Sequence, residues 1–390
     1  MPTTLFILLA CLVLLYAMTL FYFYGGFRFL NYPLVDGNPL PTVSVIVPAR
    51  NEAHHIEELF KSLKKQNYPS EFLEFCIIDD RSSDGTFARI EAGAKELPNV
   101  IPLRITDTVP HVAPKKRAID LGIRRSSGEI ILVTDADCRP GENWVHSFAT
   151  RFSNDVAMVC GYAPYHPRSS FLHKLLALDF FSLAAVSAAG IGIDVPLTCA
   201  GGNLAYRRRA YYAIGGFEKI ASFISGDDDL LLHEMHHRRV GKILYLPEPE
   251  AAVQTELPNS WRQFFWQRIR FASKSRHYDP QITAALVAVY FMNFLLGCGL
   301  LASLALRKWS WLGGILFLWM IKALAEFILL KRAADLFGEQ HLLRYLPAAN
   351  ILHPFYIILF GALGQFMSFR WKGERFRRKL TTDSVAGVER

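Results

Sequence analysis

Two aspartates, one residue apart, follow an uninterrupted apolar run near the middle of the chain. The run, residues 130–133, has the composition of a buried strand and leads into Asp135 and Asp137. Alternate residues of an extended backbone point to the same side, so both carboxylates are expected together at the strand end. Hard oxygen ligands placed in this way suit Mg²⁺ or Mn²⁺, which commonly bridge to a substrate phosphate. The pattern predicts a metal site, although aspartate is also common in ordinary strand-end turns.

A second acidic cluster lies further along the chain. Asp227, Asp228 and Asp229 directly precede the apolar residues 230–232. Acidic residues stabilise a helix N-terminus, so the cluster predicts a helix start. Neighbouring carboxylates also raise one another's pKa toward the range that suits a general base. The cluster is therefore a candidate for proton transfer as well as for capping.

Short apolar runs alternate with helical patterns between residues 41 and 280, which predicts a doubly wound, mostly parallel sheet. In such sheets the ligand lies beyond the carboxyl ends of the strands. The predicted strands are 43–47, 75–78 and 130–133, and the predicted helices are 52–65, one from about 84, and 115–124. Polar clusters follow the strands, at Arg50 and Glu52, at Asp80, and at the first aspartate pair.

The composition predicts a soluble domain with membrane segments attached. The chain of 390 residues is 51% hydrophobic, yet 20% of its residues are charged. Residues 5–24 form an uncharged apolar run that is long enough to span a bilayer, and Arg28 is the first charge after it. The positive-inside rule then places the N-terminus outside and the following domain in the cytoplasm. We expect an anchor at 1–30, a catalytic domain at 41–280 and interfacial helices near 170–190 and 259–275.

Transmembrane helices are also predicted at 282–370, with runs at 282–306, 309–330 and 346–369. Three full spans would put the basic tail, 371–390, outside, against the charge rule, so we expect one of the last two runs not to cross fully. Lys322 and Glu326, four residues apart, are expected to pair on one helix face. The tail suits anionic lipid, and the chain lacks the basic, aromatic-studded face of a nucleic-acid binder.

Three sequence blocks resemble the nucleotide-binding half of glycosyltransferase family 2. They are Val-Ser-Val-Ile-Val-Pro-Ala-Arg-Asn-Glu (43–52), Ile-Asp-Asp-Arg-Ser-Ser-Asp-Gly-Thr (78–86) and Thr-Asp-Ala-Asp (134–137). The resemblance covers about residues 41–275 and implies an α/β fold of the GT-A type, Rossmann-like, beside the transmembrane helices. Members of the family are inverting enzymes that use nucleotide sugars. Arg81 stands where the family usually has glycine.

The resemblance implies roles for individual residues. Asp80 is expected to contact the base of the nucleotide, although it also suits a turn or a helix cap. Asp137 is the firmest expected metal ligand, with Asp135 second. Lys115 matches a family lysine near the nucleotide, whereas Lys116 and Arg117 are expected to face solvent, as charge runs usually do. The remaining residues implied are Pro48, Arg50, Glu52, Gln267 and Arg270 for the nucleotide, and Gly201, Gly202, Asn203 and Phe271 for the sugar or acceptor.

Two details of the resemblance bear on mechanism. One alignment of the acidic cluster puts the catalytic base at Asp227, and a shift of one residue chooses Asp228. Gln267 and Arg270, three apart on a helix, share a face from which Arg270 can grip a diphosphate. Phe271 replaces the tryptophan that stacks under the acceptor sugar in processive synthases.

The sequence thus predicts a multi-pass, inverting glycosyltransferase of the cell membrane. It would move a sugar from a nucleotide donor, with UDP as the expected carrier, to a lipid or lipid-linked acceptor at the cytoplasmic leaflet, with Mg²⁺ or Mn²⁺. Three alternatives remain open at this point: a processive polysaccharide synthase, a non-catalytic membrane scaffold with a degenerate GT-A domain, and a nucleotidyltransferase.

Overall fold

The computed structural model describes residues 3–34, 39–166, 169–258, 260–273, 278–371 and 374–376. The helices are α1 Thr3–Gly26, α2 Ile56–Lys64, α3 Thr86–Glu96, α4 Pro114–Arg125, α5 Trp144–Ala149, α6 Phe171–Gly192, α7 Arg208–Ala213, α8 Asp229–His237, α9 Trp261–Ser273, α10 Pro280–Ala305, α11 Trp309–Phe337 and α12 Leu346–Phe366. The strands are β1 Val43–Ala49, β2 Leu73–Asp80, β3 Val100–Ile105, β4 Ile130–Val133, β5 Arg139–Pro140, β6 Val156–Gly161, β7 Tyr165–His166, β8 Leu204–Arg207, β9 Lys242–Leu246, β10 Val253–Glu256, β11 Phe369–Trp371 and β12 Glu374–Phe376.

A seven-stranded sheet forms the centre of the domain, in the order β3-β2-β1-β4-β8-β6-β9. The first four strands in this order run parallel, β8 runs antiparallel to both of its neighbours, and β6 and β9 are parallel. Strands β1, β2 and β4 are almost entirely buried, as expected for parallel strands covered on both faces. The predicted mixed α/β class with a mostly parallel sheet is confirmed.

The helix predicted from residue 52 begins four residues later, at Ile56. Asn51 has a φ of 52°, outside the helical region. The backbone N–H of Glu52 donates to Thr86 Oγ1 at 2.9 Å and that of Ala53 to Asp84 Oδ2 at 3.1 Å. Because side chains from the loop after β2 satisfy these groups, the chain forms a turn here that carries Arg50 and Glu52 to the sheet edge.

Among the residues that the structure describes, five helical segments are long and apolar enough to cross a membrane: Thr3–Phe29, Phe171–Gly192, Pro280–Ala305, Trp309–Phe337 and Gln340–Phe366. Leu9 and Val13 of α1 pack against Met292 and Leu296 of α10 and Ile315 of α11. The predicted Lys322–Glu326 pair is confirmed, with Lys322 Nζ 2.6 Å from Glu326 Oε1.

Helix α6 corresponds to the segment expected near 170–190. Phe181, Ala185 and Ala188 are completely buried, so one face of this helix belongs to the domain core. Helix α9 corresponds to the segment expected at 259–275, of which residues 259, 274 and 275 lie outside the described residues. Of the basic tail, β11 and β12 form an antiparallel pair, and residues 377–390 lie outside the described residues.

Candidate active site

A cavity of about 960 Å³ opens beyond the carboxyl ends of β1, β2 and β4 and continues between α6, α9, α10 and α12. The strand ends deliver the polar residues to it, as expected of a parallel sheet. The residues singled out from the sequence that line it are Pro48, Arg50, Glu52, Asp80, Lys115, Asp135, Asp137, Gly201, Gly202, Asp227, Asp228, Gln267, Arg270 and Phe271.

Lys115 joins the two acidic clusters. It lies in the first turn of α4, and its Nζ is 2.8 Å from Asp135 Oδ1 and 2.8 Å from Asp227 Oδ2. Burial alone would lower the pKa of Lys115, but the two carboxylates outweigh it and the pKa is raised. The ammonium group therefore stays charged and holds together two aspartates that are far apart in the sequence.

The first aspartate pair offers oxygen ligands in the right place for a hard cation. One side-chain ligand atom from each of Asp135, Asp137 and Cys138 lies within 4.8 Å of the others. Burial, followed by the charges of Asp137 and Asp135, raises the pKa of the Cys138 thiol well above its usual range. Carboxylate oxygens rather than a thiolate are thus the available ligands, which fits Mg²⁺ or Mn²⁺ better than a soft ion.

Three arginine side chains contact the Asp80 carboxylate. Arg117 Nη2 lies 2.9 Å from Asp80 Oδ1, Arg81 Nε 3.0 Å from the same atom, and Arg50 Nη1 3.8 Å from Oδ2. Arg81 has a φ of 57°, a left-handed backbone conformation that glycine adopts without strain. Glycosyltransferase family 2, which the sequence resembles, usually has glycine at this position.

The expectation that Lys116 and Arg117 face solvent is wrong. Arg117 contacts Asp80, and the Lys116 side chain is buried. Lys116 Nζ donates to the carbonyl oxygens of Ile220, Phe223 and Ser225 at 2.6–3.0 Å. The start of α4 is inserted between two loops, so its charge run organises the segment that precedes the acidic triplet.

The three acids of the second cluster have different surroundings. Asp227 contacts Lys115, and Asp228 Oδ1 accepts from the backbone N–H of Asp229 at 2.7 Å, which caps α8. Asp229 is fully buried and accepts from Thr198 Oγ1 at 3.2 Å and from the Tyr278 hydroxyl. All three acids line the cavity, and in addition Asp228 caps α8 and Asp229 is held by Thr198 and Tyr278.

Both glycines of the Gly201-Gly202 pair lie close to aspartate side chains of the site. A Cβ on Gly201 would lie 3.0 Å from Asp228 Oδ2, and one on Gly202 would lie 3.1 Å from Asp135 Oδ2. Asn203, expected with them at the sugar, lies behind the cavity instead. Its amide donates to the carbonyls of Tyr162 and Ala251 at 2.7 and 2.8 Å and accepts from Trp144 Nε1 at 2.8 Å. Since these hydrogen bonds engage both the nitrogen and the oxygen of the buried Asn203 amide, the side chain fixes the turn that contains Gly201 and Gly202.

Helix α9 presents a row of side chains to the cavity. Gln267 Oε1 accepts from the Tyr165 hydroxyl at 3.5 Å, and the Arg270 guanidinium lies 5.1 Å from the centre of the Phe271 ring. Arg268, which was not among the residues predicted from the sequence, follows Gln267 on this helix. It forms an ion pair with Asp179 of α6, with 2.6 Å between Arg268 Nη1 and Asp179 Oδ2. No sequence signal joins residues so far apart as Asp179 and Arg268, or Tyr278 and Asp229.

A second group of potential metal ligands lies at the rim. Glu52, His54 and His55 bring their ligand atoms within 4.8 Å of one another. His55 also lies between two acids, 3.7 Å from Glu52 Oε2 and 3.6 Å from Glu256 Oε1. These contacts tie the turn after β1 to β10.

The far part of the cavity is largely apolar. Its walls come from α6, α10 and α12, through Leu183, Leu286, Val287, Ile357 and Phe360, together with polar side chains such as Asp179 and His353. Leu286 and Val287 are also 43% and 48% exposed, so this wall reaches the protein surface. The charged and apolar parts form one continuous space.

Two family models match the chain: "Glycosyl transferase family 2" over residues 44–215, and "Glycosyl transferase family group 2" over residues 130–363. Among solved structures, a mannosyltransferase of Pyrobaculum calidifontis, in complex with GDP-Man and Mn²⁺, is similar with a TM-score of 0.53. The likeness covers 88% of this chain and 98% of that one at 21% identity, and shows the same fold.

Curated relatives are similar over most of the chain. The Bacillus subtilis protein named probable glycosyltransferase YdaM is 27% identical over 295 residues, 71% of this chain and 67% of its own length. A beta-monoglucosyldiacylglycerol synthase of Synechocystis is 25% identical, over 60% of this chain and 51% of its own length. The chain therefore spans between half and two thirds of the length of these two relatives.

Proposed function

Since this chain belongs to glycosyltransferase family 2 and has its GT-A fold, we propose that it transfers a sugar from a nucleotide donor to a lipid acceptor at the cytoplasmic leaflet. The acceptor is a membrane lipid or a lipid-linked glycan, and the expected donor carries UDP. A synthase of a diacylglycerol glycolipid among the relatives is consistent with a lipid acceptor.

One observation carries the proposal: the cavity with the acidic clusters continues without a break into the apolar space between α6, α10 and α12. A soluble acceptor would gain little from walls such as Leu286 and Phe360. The acyl chains of a lipid would be buried there, at about 25 cal/mol for each Å² of apolar surface removed from water. The position of the cavity thus favours an acceptor that arrives from the bilayer.

The side chains have complementary tasks in an inverting transfer. Asp80 and its arginines hold the base end of the donor, and Arg270 binds the diphosphate through its planar fork. A cation held by Asp137 and Asp135 would neutralise charge on the leaving diphosphate. Asp227 or Asp228 takes the proton of the acceptor hydroxyl as that oxygen attacks the anomeric carbon and the nucleotide diphosphate departs.

Asp228 is the better candidate for the base. Asp227 forms an ion pair with the Lys115 ammonium, and it would have to leave that pair to accept a proton. Asp228 Oδ2 faces Gly201 at the cavity wall, while its other oxygen caps α8. We assign Asp227 to positioning Lys115 beside the donor.

The alternative of a processive polysaccharide synthase is disfavoured by Phe271, which replaces the tryptophan expected under the acceptor sugar of such enzymes.

The test is transfer by the purified protein in mixed micelles, with Mn²⁺ and a panel of radiolabelled nucleotide sugars. We expect label in the organic phase, in a lipid that carries one added sugar, with a UDP-linked donor. Label in a high-mass, water-soluble product would contradict the proposal in favour of a polymer synthase. Labelling with a GDP-linked donor alone would correct the donor and leave the lipid acceptor standing.

A further inference from the structure

Asp179 and Arg268 form an ion pair in the cavity wall, away from the acidic centre. The Arg268 side chain is 3% exposed, and its Nη1 lies 2.6 Å from Asp179 Oδ2. The rings of Phe264, Phe271 and Tyr356 surround the guanidinium, with their centres 5.2–5.8 Å from Cζ. Burial alone would lower the pKa of Arg268, but Asp179 outweighs it and the pKa is raised. The Arg268 guanidinium therefore stays charged beside Asp179 in a largely apolar wall.

Tyr356 completes the surroundings of this pair. Arg268 Nε and Nη2 are buried, and Tyr356 is a hydrogen-bonding side chain beside them. Buried charged groups are usually paired and hydrogen-bonded in this way. Arg268 is therefore held in place and can fix the position of Asp179.

Asp179 is the member of the pair that reaches the cavity. Its side chain is 22% exposed and lines the open space, whereas Oδ2, the oxygen that contacts Arg268, is buried. The exposed part of the carboxylate therefore lies on the Oδ1 side. A carboxylate oxygen at an apolar wall accepts strong, charge-assisted hydrogen bonds from hydroxyl groups and repels a phosphate.

We propose that Asp179 binds a hydroxyl group in the uncharged headgroup of the lipid acceptor, and that Arg268 is the residue that positions Asp179. This assignment rests on the proposed function, since it presumes a lipid acceptor. The acceptor class is a neutral glycerolipid or glycolipid, and lipid phosphates are disfavoured.

The surroundings agree with this assignment. Phe180 and Leu183 of α6, one and four residues after Asp179, line the same cavity, as do Leu286 of α10 and Ile357 of α12. A lipid whose chains lie against these side chains has its headgroup between them and the acidic triplet. Asp179 then fixes one hydroxyl while another is presented to Asp228.

Steady-state kinetics in mixed micelles test the assignment, with a monoglucosyldiacylglycerol, whose neutral headgroup has several hydroxyls, or a polyprenyl phosphate as the acceptor. We expect Asp179→Asn to raise the KM for monoglucosyldiacylglycerol about tenfold, the size of one lost charge-assisted hydrogen bond, with the donor KM unchanged. Arg268→Lys should raise the acceptor KM less, because it keeps the charge but loses the fork. Asp194→Asn, at a side chain that is 92% exposed beyond the end of α6, and Arg262→Lys, exposed on α9, are matched controls that should leave both KM values unchanged.

The outcomes separate this inference from the proposed function. Wild-type protein that transfers to neither lipid would contradict the proposed function itself. Transfer to monoglucosyldiacylglycerol with the same acceptor KM in Asp179→Asn would overturn only the role of Asp179, and a preference for polyprenyl phosphate would overturn the neutral headgroup. Melting temperature and acceptor-free donor hydrolysis report on folding. If Asp179→Asn does not fold, Arg268→Lys decides by whether the acceptor KM rises alone.

Discussion

Lys115 has the most consequential position among the charged residues of the site. Its Nζ contacts Asp135 and Asp227 at the same distance, 2.8 Å, and so neutralises part of a strongly acidic wall before any donor arrives. A diphosphate that enters the site would contact the Lys115 ammonium group, and a cation would contact the carboxylates. Lys115 thus prepares the site for the diphosphate and for the cation.

The two aspartates of the second cluster can be separated by kinetics. We expect Asp228→Asn to lower kcat by about 10²–10⁴-fold, the usual contribution of a general base, with little change in the donor KM. Asparagine still caps a helix, so α8 should keep its start. Asp227→Asn should lower kcat less and raise the donor KM, because it releases Lys115.

The reverse order of effects in these two variants would move the base to Asp227, and equal loss of melting temperature in both would point to folding instead. Steady-state rates and thermal melting of the same preparations give both readouts.

The metal site makes a second prediction at the residue scale. Asp137→Ala should abolish both the rise in melting temperature on adding Mn²⁺ and the metal-dependent part of transfer, because it removes the principal oxygen ligand. Cys138→Ser is the matched control next in the chain and should retain both responses, since a thiol is a poor ligand for a hard ion. Loss of the Mn²⁺ response in Cys138→Ser alone would exchange the roles of the two residues.

Among the elements, α1 and α6 are held together at their C-terminal ends by an exceptionally close backbone approach. A Cβ added to Gly26 would lie 2.0 Å from the carbonyl oxygen of Ala189, and one added to Gly192 would lie 2.2 Å from that of Gly26. Because α6 also lines the cavity, this contact links the N-terminal apolar helix α1 to the wall of the site.

Gly25 and Gly26 provide a matched test of that contact. We expect Gly26→Val to lower the melting temperature in detergent and to reduce transfer, since overpacking costs about 1–3 kcal/mol. Gly25→Val changes the neighbouring residue in the same way, but a Cβ there would have nothing within 4 Å, so it should behave like wild type. If both variants melt alike, helix propensity rather than packing explains the loss.

At the scale of the whole molecule, the contacts of α12 bear on membrane topology. Phe6, near the start of α1, packs against Gly314 near the start of α11, which marks the side away from the domain. Just before α12, the Tyr345 ring packs at 5.8 Å on Phe171 of the domain helix α6. Near the other end, Gln365 Nε2 donates to the carbonyl of Ala272 in α9 at 3.2 Å.

Both ends of α12 therefore contact the domain side, although the helix is continuous from Leu346 to Phe366. We infer that α1, α10 and α11 cross the bilayer and that α12 stays on the domain side without crossing fully. The basic tail then lies on the same side as the catalytic domain, in agreement with the positive-inside rule.

Reporter fusions in a bacterial host test this topology. A fluorescent protein that matures only in the cytoplasm should fluoresce when fused after Arg390 and stay dark when fused before Met1. Fluorescence at the N-terminal fusion together with a dark C-terminal one would invert the topology. Two dark fusions would mean that α12 crosses fully.

The sequence by itself determined the strands, the strand-end acids and the apolar runs, because each depends on local periodicity and on residue type over a few neighbours. It therefore predicted the sheet, the Asp135–Asp137 pair and the Lys322–Glu326 contact. Tertiary structure alone decided that Lys116 is buried, that Asn203 lies behind the cavity and that Asp179 meets Arg268. These outcomes depend on how distant elements pack, since the energy of a charge or an amide is set by partners that the chain brings together only when it folds.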